Sequence, residues 1–353
     1  MSVRDFLWRV LRKDKPSFGS RLLHVLLLPF SWLYGAGVSL VFLAYQNGIF
    51  PVFRSSIPVI SIGNIALGGA GKTPFVIWLA GHLRDRHKNP VILTRGYMPG
   101  ADGQSDEVLL FRRNLPGVVV YVSADRAESI RLAEKEHLVD VFLMDDGFQH
   151  WACARNLDIV MLDVLETASD RNLLPCGSLR EPFSALARAD IVILTRCDLA
   201  PERVPALRAE ISRLVPRVLL AETAHVPQAL VELSGGTESV TPLSAIRKSV
   251  CACSAIGSPE AFTRTLLQCG ADLRHHEIFI DHYDYTLEDV QRLVALCRKH
   301  SCDTLVVTSK DAVKLRQFAG HFQGVTVYAL EVVIAFTRGE DEVLASVNRL
   351  LAA

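Results

Sequence analysis

Two different patterns of apolar and polar positions divide the chain. Positions 22–45 hold no Asp, Glu, Lys or Arg, a run long enough to cross a bilayer core, which takes about 20 apolar residues. Pro29, Ser31, Gly35 and Gly37 interrupt it. From position 57 onward the pattern changes to short apolar runs alternating with amphipathic ones. Strand-like runs fall at 58–62, 91–94, 118–122, 139–144, 157–163 and 191–195. Helix-like runs lie between them, among them 74–87 and 126–137, the latter opened by Asp125 with Glu128 three residues on, a capping pair. This alternation predicts a parallel sheet with helices on both faces. Positions 225–248 are weakly patterned and read as a linker. A second series follows at 250–255, 259–270, 276–279, 287–300, 304–308 and 325–329, and 340–351 reads as a closing helix.

Composition refines the picture in three ways. A chain of 353 residues exceeds a typical single domain, so two lobes plus an appendage are expected. Lys+Arg and Asp+Glu number 38 each, so no global field favours nucleic acid as a partner. Six basic side chains (Arg4, Arg9, Arg12, Lys13, Lys15, Arg21) precede the apolar run, facing only Asp5 and Asp14. That flank suits anionic headgroups on the cytoplasmic side of a membrane. No A-x-A-like site marks a cleaved signal peptide. The run is then a membrane span, a monotopic hairpin or interfacial helix, or a hydrophobic helix buried on the body; an embedded, non-spanning anchor is the favoured reading. The eight cysteines contain no C-x-x-C, and Cys251 and Cys253 alternate onto one face of a strand-like run. Buried free thiols in a reducing compartment are expected, not a disulfide framework or a zinc site.

Candidate chemistry begins at Gly68-Gly69-Ala70-Gly71-Lys72-Thr73. A strand-like run precedes it and a helix-like run follows, the context of a P-loop. There backbone N–H groups and a helix N-terminus hold phosphates, Lys reaches the β/γ-phosphates and Thr supplies a Mg²⁺ ligand. The pattern G-x-x-x-x-G-K-[ST] wants Gly at 66, where this chain has Ala66. A second apolar run ends in Asp145-Asp146-Gly147, the form of a Walker B element that holds Mg²⁺ beside a P-loop. Asp106 and Glu107 open a helical run after a polar loop, where carboxylates act as bases or simply favour the helix N-terminus. Arg180 and Glu181 lie in a Gly/Pro-rich loop and suit phosphate charge and metal, or a surface ion pair. His282 stands between Asp281 and Asp284 in the second lobe. Thr195-Arg196-Cys197-Asp198 has a distant likeness to the N-K-x-D guanine-reading loop, with Thr for Asn and Arg for Lys.

Taken together the motifs resemble one family, the tetraacyldisaccharide 4′-kinases of lipid A biosynthesis. The matching stretches are Ser61-Ile62-Gly63-Asn64, the loop with Pro74, Thr94-Arg95-Gly96-Tyr97, Ser105-Asp106-Glu107 and Asp145-Asp146-Gly147-Phe148-Gln149-His150. Leu179-Arg180-Glu181-Pro182, Ala255-Ile256-Gly257 with Pro259, Phe279 with Asp281-His282, and Lys310-Asp311-Ala312-Val313-Lys314 continue it in the family's order. Ser309 stands where Glu is common, and Ser258 where Asn is common. The resemblance implies an α/β fold: a P-loop NTPase-like parallel core, a smaller second α/β domain and a hydrophobic N-terminal helical segment. The expected division is 1–50 for the membrane-associating segment, 51–224 for the core, 225–249 for the linker, 250–335 for the smaller domain and 336–353 for the closing helix. It further implies transfer of the γ-phosphoryl of ATP, with Mg²⁺, to the 4′-hydroxyl of an acylated glucosamine disaccharide 1-phosphate at the inner membrane, the catalytic domain facing the cytoplasm.

Carried onto this chain, the resemblance gives Gly68, Gly69, Ala70, Gly71, Lys72, Thr73 and Arg180 to the nucleotide. Thr73, Asp145 and Glu181 would hold the metal, Asp146 would be a catalytic residue of the cleft, and Asp106 would act as base with His282 brought in from the second lobe. Asn64, Arg95, Tyr97 and Glu107 are candidates for the substrate. Two other readings stay open at this point: a membrane-associated P-loop GTPase or ATPase switch acting on a protein partner, and a non-enzymatic nucleotide-binding scaffold.

Overall fold

The structure, a computed structural model, describes residues 18–96, 105–166, 171–233 and 239–352. The apolar run is one helix, α1 (Phe18–Gln46), about 43 Å long at 1.5 Å per residue. Pro29 lies inside it and neither glycine ends it. The core lobe continues as β1 (Val59–Gly63), α2 (Lys72–Asp85), β2 (Pro90–Thr94), α3 (Asp106–Asn114), β3 (Val119–Val122), α4 (Arg126–Glu136) and β4 (Val141–Asp145). Then come β5 (Leu157–Asp163), β6 (Ile191–Thr195), α5 (Val204–Leu214) and β7 (Leu219–Glu232). After β8 (Val240–Thr241) come β9 (Ser249–Ser254), α6 (Pro259–Gln268), β10 (Asp272–Ile278), α7 (Leu287–Lys299), β11 (Thr304–Thr308) and α8 (Ser309–Leu315). The chain closes with β12 (Thr326–Arg338) and α9 (Glu340–Ala352).

One sheet carries both lobes, in the order β10-β9-β11-β12-β7-β6-β5-β1-β4-β2-β3, with β8 on β7. Pairings are parallel except β12 on β7 and β8 on β7. β1, β2, β4 and β6 are buried at every position, which is why they read as unbroken apolar runs: helices cover both faces. On one face Phe75, Val76, Leu79 and Leu83 of α2 pack with Ile60, Ile62 and Leu143 of the sheet and with Val343 and Val347 of α9. The second lobe has its own core, in which Cys251, Cys253 and Cys297 pack as small apolar residues beside Leu293 and Val307. All eight cysteines are free thiols.

The stretch expected as a linker is where the structure departs most from the pattern. Residues 225–232 continue β7, which pairs with β12 as a long antiparallel ribbon between the lobes. Pro227 sits opposite Val332 next to a register shift. A bulge tolerates proline inside a strand, and the mixture of Pro, Gln and His hid the strand from a pattern search. The predicted cap of α4 is present: the Asp125 side chain accepts the Glu128 N–H at 3.0 Å.

α1 is docked lengthwise. His24, Ser31, Tyr34, Gly35, Phe42 and Tyr45 fall on one stripe. The Ser31 hydroxyl donates to the Leu173 carbonyl at 2.9 Å, and the Tyr34 hydroxyl to the Arg180 carbonyl at 3.0 Å. Phe42 and Tyr45 meet the Trp151 ring. The opposite side exposes Val25, Leu26, Phe30, Trp32, Leu33 and Leu40.

Candidate active site

The phosphate loop leaves β1 at the centre of the parallel half of the sheet and enters α2, with Gly71 as N-cap at φ 85°. Gly68 has φ 119°; side-chain-bearing residues rarely adopt either angle. Lys72 and Thr73 form the first turn of α2. Lys72 Nζ donates to Asn64 Oδ1 at 3.0 Å and lies 3.3 Å from Asp146. Asn64 is fully buried, gives its amide to the Ala66 carbonyl at 2.7 Å, and also accepts from Arg180. Its side chain thus joins the phosphate loop to Lys72 and Arg180, the two cations beside Asp146.

The two adjacent acids at the end of β4 have opposite environments. Asp145 is 3% exposed, and its Oδ1 has no hydrogen-bond partner among the described residues. Burial, then the Glu107 and Asp146 carboxylates, push its pKa up to about 7 against the pull of Lys72 and Arg126. Asp146, with φ 52°, faces the cations. Arg180 holds both its oxygens at 2.8 Å, a bidentate fork, with Lys72 beside it. Burial would raise Asp146, but Lys72 and Arg180 hold it well below the usual carboxylate range.

Glu181 is 1% exposed and engaged on both oxygens: Arg188 donates at 2.7 and 3.0 Å, and Gln149 at 2.8 Å. Both oxygens are thus engaged by Arg188 and Gln149, and a metal at Glu181, the role expected for it, would have to displace one of these donors. Gln149 bridges Glu181 to the Asn64 carbonyl at 2.9 Å, which ties the Arg180 loop to the phosphate loop.

The acceptor side is assembled from both lobes. Asp106, the first residue of α3, is 3% exposed. His282 Nδ1 lies 3.2 Å from Oδ2, and Lys314 Nζ 3.1 Å from Oδ1. Burial would raise the Asp106 pKa, but the His282 hydrogen bond and the charges of Lys314 and Lys310 bring it below the usual value. Glu107 lies 3.9 Å from Lys310 and contributes to the field on Asp145. His282 is held at φ 63°, and its other nitrogen lies 3.8 Å from Asp281. Arg95 is exposed just past the end of β2. Tyr97 lies outside the described residues.

Lys310, Lys314, Gly257 and Asp311 stand in the matching stretches of the sequence without a role assigned to them. Lys310 and Lys314 occupy one face of α8 at i, i+4, and that spacing of two lysines was the available signal. Gly257 in the second lobe abuts the phosphate loop: a Cβ there would come 2.4 Å from the Gly69 nitrogen and 2.8 Å from Gly68 Cα. Only a glycine lets the two backbones approach so closely, which gives Ala255-Ile256-Gly257 a reason to exist. Asp311 pins that turn by accepting the Ala255 N–H at 3.1 Å and the Tyr285 hydroxyl at 2.8 Å.

A nucleotide switch has no use for a buried carboxylate clamped by cations from a second lobe, nor for an acid pair split between a free oxygen and an arginine fork. These features suit transfer to a bound hydroxyl, and the protein is a P-loop kinase. A family model, tetraacyldisaccharide-1-P 4′-kinase, matches residues 23–351. The tetraacyldisaccharide 4′-kinase of Anaeromyxobacter dehalogenans (strain 2CP-C) is 37% identical over 316 residues, 84% of this chain and 82% of that one. That of Bdellovibrio bacteriovorus is 32% identical over 339 residues, 92% of this chain and 99% of that one. The crystal structure of LpxK from Aquifex aeolicus in complex with ATP superposes with a TM-score of 0.70 at 28% identity, covering 93% of this chain and 99% of that one. The chain belongs to the tetraacyldisaccharide 4′-kinase family.

Proposed function

We propose that this chain transfers the γ-phosphoryl group of ATP to the 4′-hydroxyl of tetraacyldisaccharide 1-phosphate, the step of lipid A biosynthesis that gives lipid IVA. The observation that carries this reading is the buried Asp106, met at 3.2 Å by His282 and at 3.1 Å by Lys314 from the other lobe. In such a cleft the acceptor hydroxyl meets its base only when both lobes are in place.

On the donor side the amides of Gly68 to Gly71, Lys72 and Arg180 bind the phosphates. Asp146 holds both cations at the position where phosphate oxygens compete for them. Mg²⁺ fits the residues present. Asp145 offers an unpartnered oxygen whose ionisation burial disfavours, so a cation there satisfies it, and the Thr73 hydroxyl stands at the start of α2. Among the described residues no three His, Cys, Asp or Glu form a complete cage, and Mg²⁺ commonly uses one or two carboxylates together with substrate phosphates. When bound, the ion neutralises charge on the β- and γ-oxygens.

On the acceptor side Asp106 orients the hydroxyl and receives its proton. A carboxylate with a lowered pKa is a weak base, but phosphoryl transfer through a loose transition state asks little of the nucleophile's proton until late. His282, against Asp106, stabilises the anion before transfer. Arg95 and Glu107 remain candidates for the sugar–phosphate head.

The substrate's acyl chains explain α1. Each CH₂ taken from the bilayer into water costs about 0.8 kcal/mol, so the enzyme works at the membrane. His24–Gln46 is long and apolar enough to cross a bilayer. However, its docked stripe runs from His24 to Tyr45 along the body, which supports a helix lying at the cytoplasmic face of the inner membrane with its outer, apolar side embedded. Incubation of purified protein with labelled ATP and the acylated disaccharide 1-phosphate in detergent micelles tests the activity. Absence of transfer where ATP binds overturns it.

A further inference from the structure

Behind the phosphate loop lies a buried ionic cluster that phosphoryl transfer leaves without a task. Arg196, just past β6, has φ 59°, a left-handed conformation uncommon for a residue with a side chain. One of its guanidinium nitrogens pairs with Asp163 at the end of β5, and Nη2 donates to the Gly69 carbonyl at 2.6 Å. The two charged side chains are only 8% and 6% exposed. Beside them β7 places His225, whose Nε2 has no hydrogen-bond partner among the described residues. That atom lies 2.7 Å from where a Cβ on Gly71 would stand. Burial and then the Arg196 charge push the His225 pKa down to about 3, so a neutral imidazole backs the loop.

A phosphate loop binds anions because its N–H groups converge on one point, which requires the intervening carbonyls to turn away. In Gly68-Gly69-Ala70-Gly71 the backbone has little intrinsic preference to do so. We propose that Arg196, oriented by Asp163, is a positioning residue for ATP: by holding the Gly69 carbonyl at the back of the loop it sets the loop amides toward the triphosphate. Arg suits this task because its planar fork bridges a carboxylate and a carbonyl at once, which a lysine ammonium does poorly. The segment 195–198 is accordingly no guanine-reading loop. Its arginine is spent on the phosphate loop, and Asp198 accepts the His225 N–H at 3.3 Å.

The inference rests on the nucleotide reading of the loop, and the test separates the two. ATP with Mg²⁺ is titrated into the full chain, and KM values for ATP and for the lipid acceptor are measured with Tm alongside. Arg196→Met is expected to raise the ATP Kd roughly 10–100-fold, the loss of a hydrogen bond to a charged group, with the lipid KM within twofold of wild type. Arg196→Lys recovers part of the affinity. A lowered Tm with wild-type ATP Kd means a merely structural ion pair and overturns the proposal. If Arg196→Met does not fold, the folded Arg196→Lys protein decides: wild-type affinity overturns the proposal, and a raised Kd with unchanged lipid KM supports it. Failure of the wild type itself to bind ATP overturns the nucleotide reading, and this proposal with it.

Discussion

Asp145→Asn is expected to make the metal-free protein more stable while abolishing its chemistry. The Asp145 carboxyl is 3% exposed with one oxygen unpartnered, and its pKa is raised from 3.8 to about 7. The folded state therefore holds a proton that the unfolded chain releases. The stability associated with the protonated form is fully present below about pH 4 and is lost as pH rises through 7. Relative to a neutral side chain, holding this carboxylate ionised costs on the order of 4 kcal/mol at pH 8, roughly half of that at pH 5 and close to nothing at pH 3. For 353 residues, an unfolding entropy of about 2.1 cal/mol/K per residue turns 4 kcal/mol into about 5 °C of Tm. Scanning calorimetry of wild type and Asp145→Asn in chelator at pH 5 and pH 8 reads the difference directly, with the larger gap at pH 8. Mg²⁺ with ATP should raise the wild-type Tm by more than that of the variant, which keeps the phosphate loop but loses a ligand for the ion. A variant less stable than wild type at pH 8 in chelator would mean instead that the carboxylate is ionised and well paired in the fold, and that burial does not dominate its energetics.

Asp106→Asn is expected to lower kcat by roughly 10²–10⁴-fold, the range for a general base, with ATP Kd unchanged. His282→Gln in the same background should then add little, and multiplicative losses would mean that the two act separately. The stability that Asp106 draws from its partners follows the opposite sign to Asp145: its pKa is lowered, so this contribution is present above about pH 4 and is lost in acid, measurable as an earlier acid transition in Lys314→Met. Gly257→Ala forces a Cβ to within 2.4 Å of the Gly69 nitrogen and should cost about 1–3 kcal/mol by overpacking. It should also raise the KM for ATP more than that for lipid; equal KM values would show that the contact is irrelevant to the nucleotide. Asp125→Ala removes the cap on Glu128 and should destabilise by about 1 kcal/mol without changing kinetics, as denaturant melts and steady-state assays would show.

Elements whose physics is local were legible in the chain alone. Fully buried parallel strands announce themselves as apolar runs, and a phosphate loop needs its glycines, lysine and threonine consecutively, so β1, α2 and the acids at 145 and 146 were legible at once. So was the capping aspartate at 125. The roles within the site were a matter of space. Nothing in two adjacent aspartates says that one is gripped by an arginine fork while the other is buried with Glu107 and Asp146 near it and only the more weakly felt charges of Lys72 and Arg126 to offset them; the chain direction at β4 and the positive φ of Asp146 decide that. Only the structure shows Arg188 against Glu181, and Arg196, which has a distant likeness to a base-reading loop in the sequence, has its guanidinium under Gly69. The ribbon of β7 and β12 was hidden because a bulged interlobe strand obeys no simple alternation. Asp106, His282 and Lys314 lie far apart in the chain, and only the closing of one sheet across both lobes brings them within hydrogen-bonding reach. Electrostatic environment falls off over a few ångströms of space, not over positions of sequence, and for that reason the chemistry class was readable from the residues, while roles such as the pairing of Asp106 with His282 came only through the family resemblance.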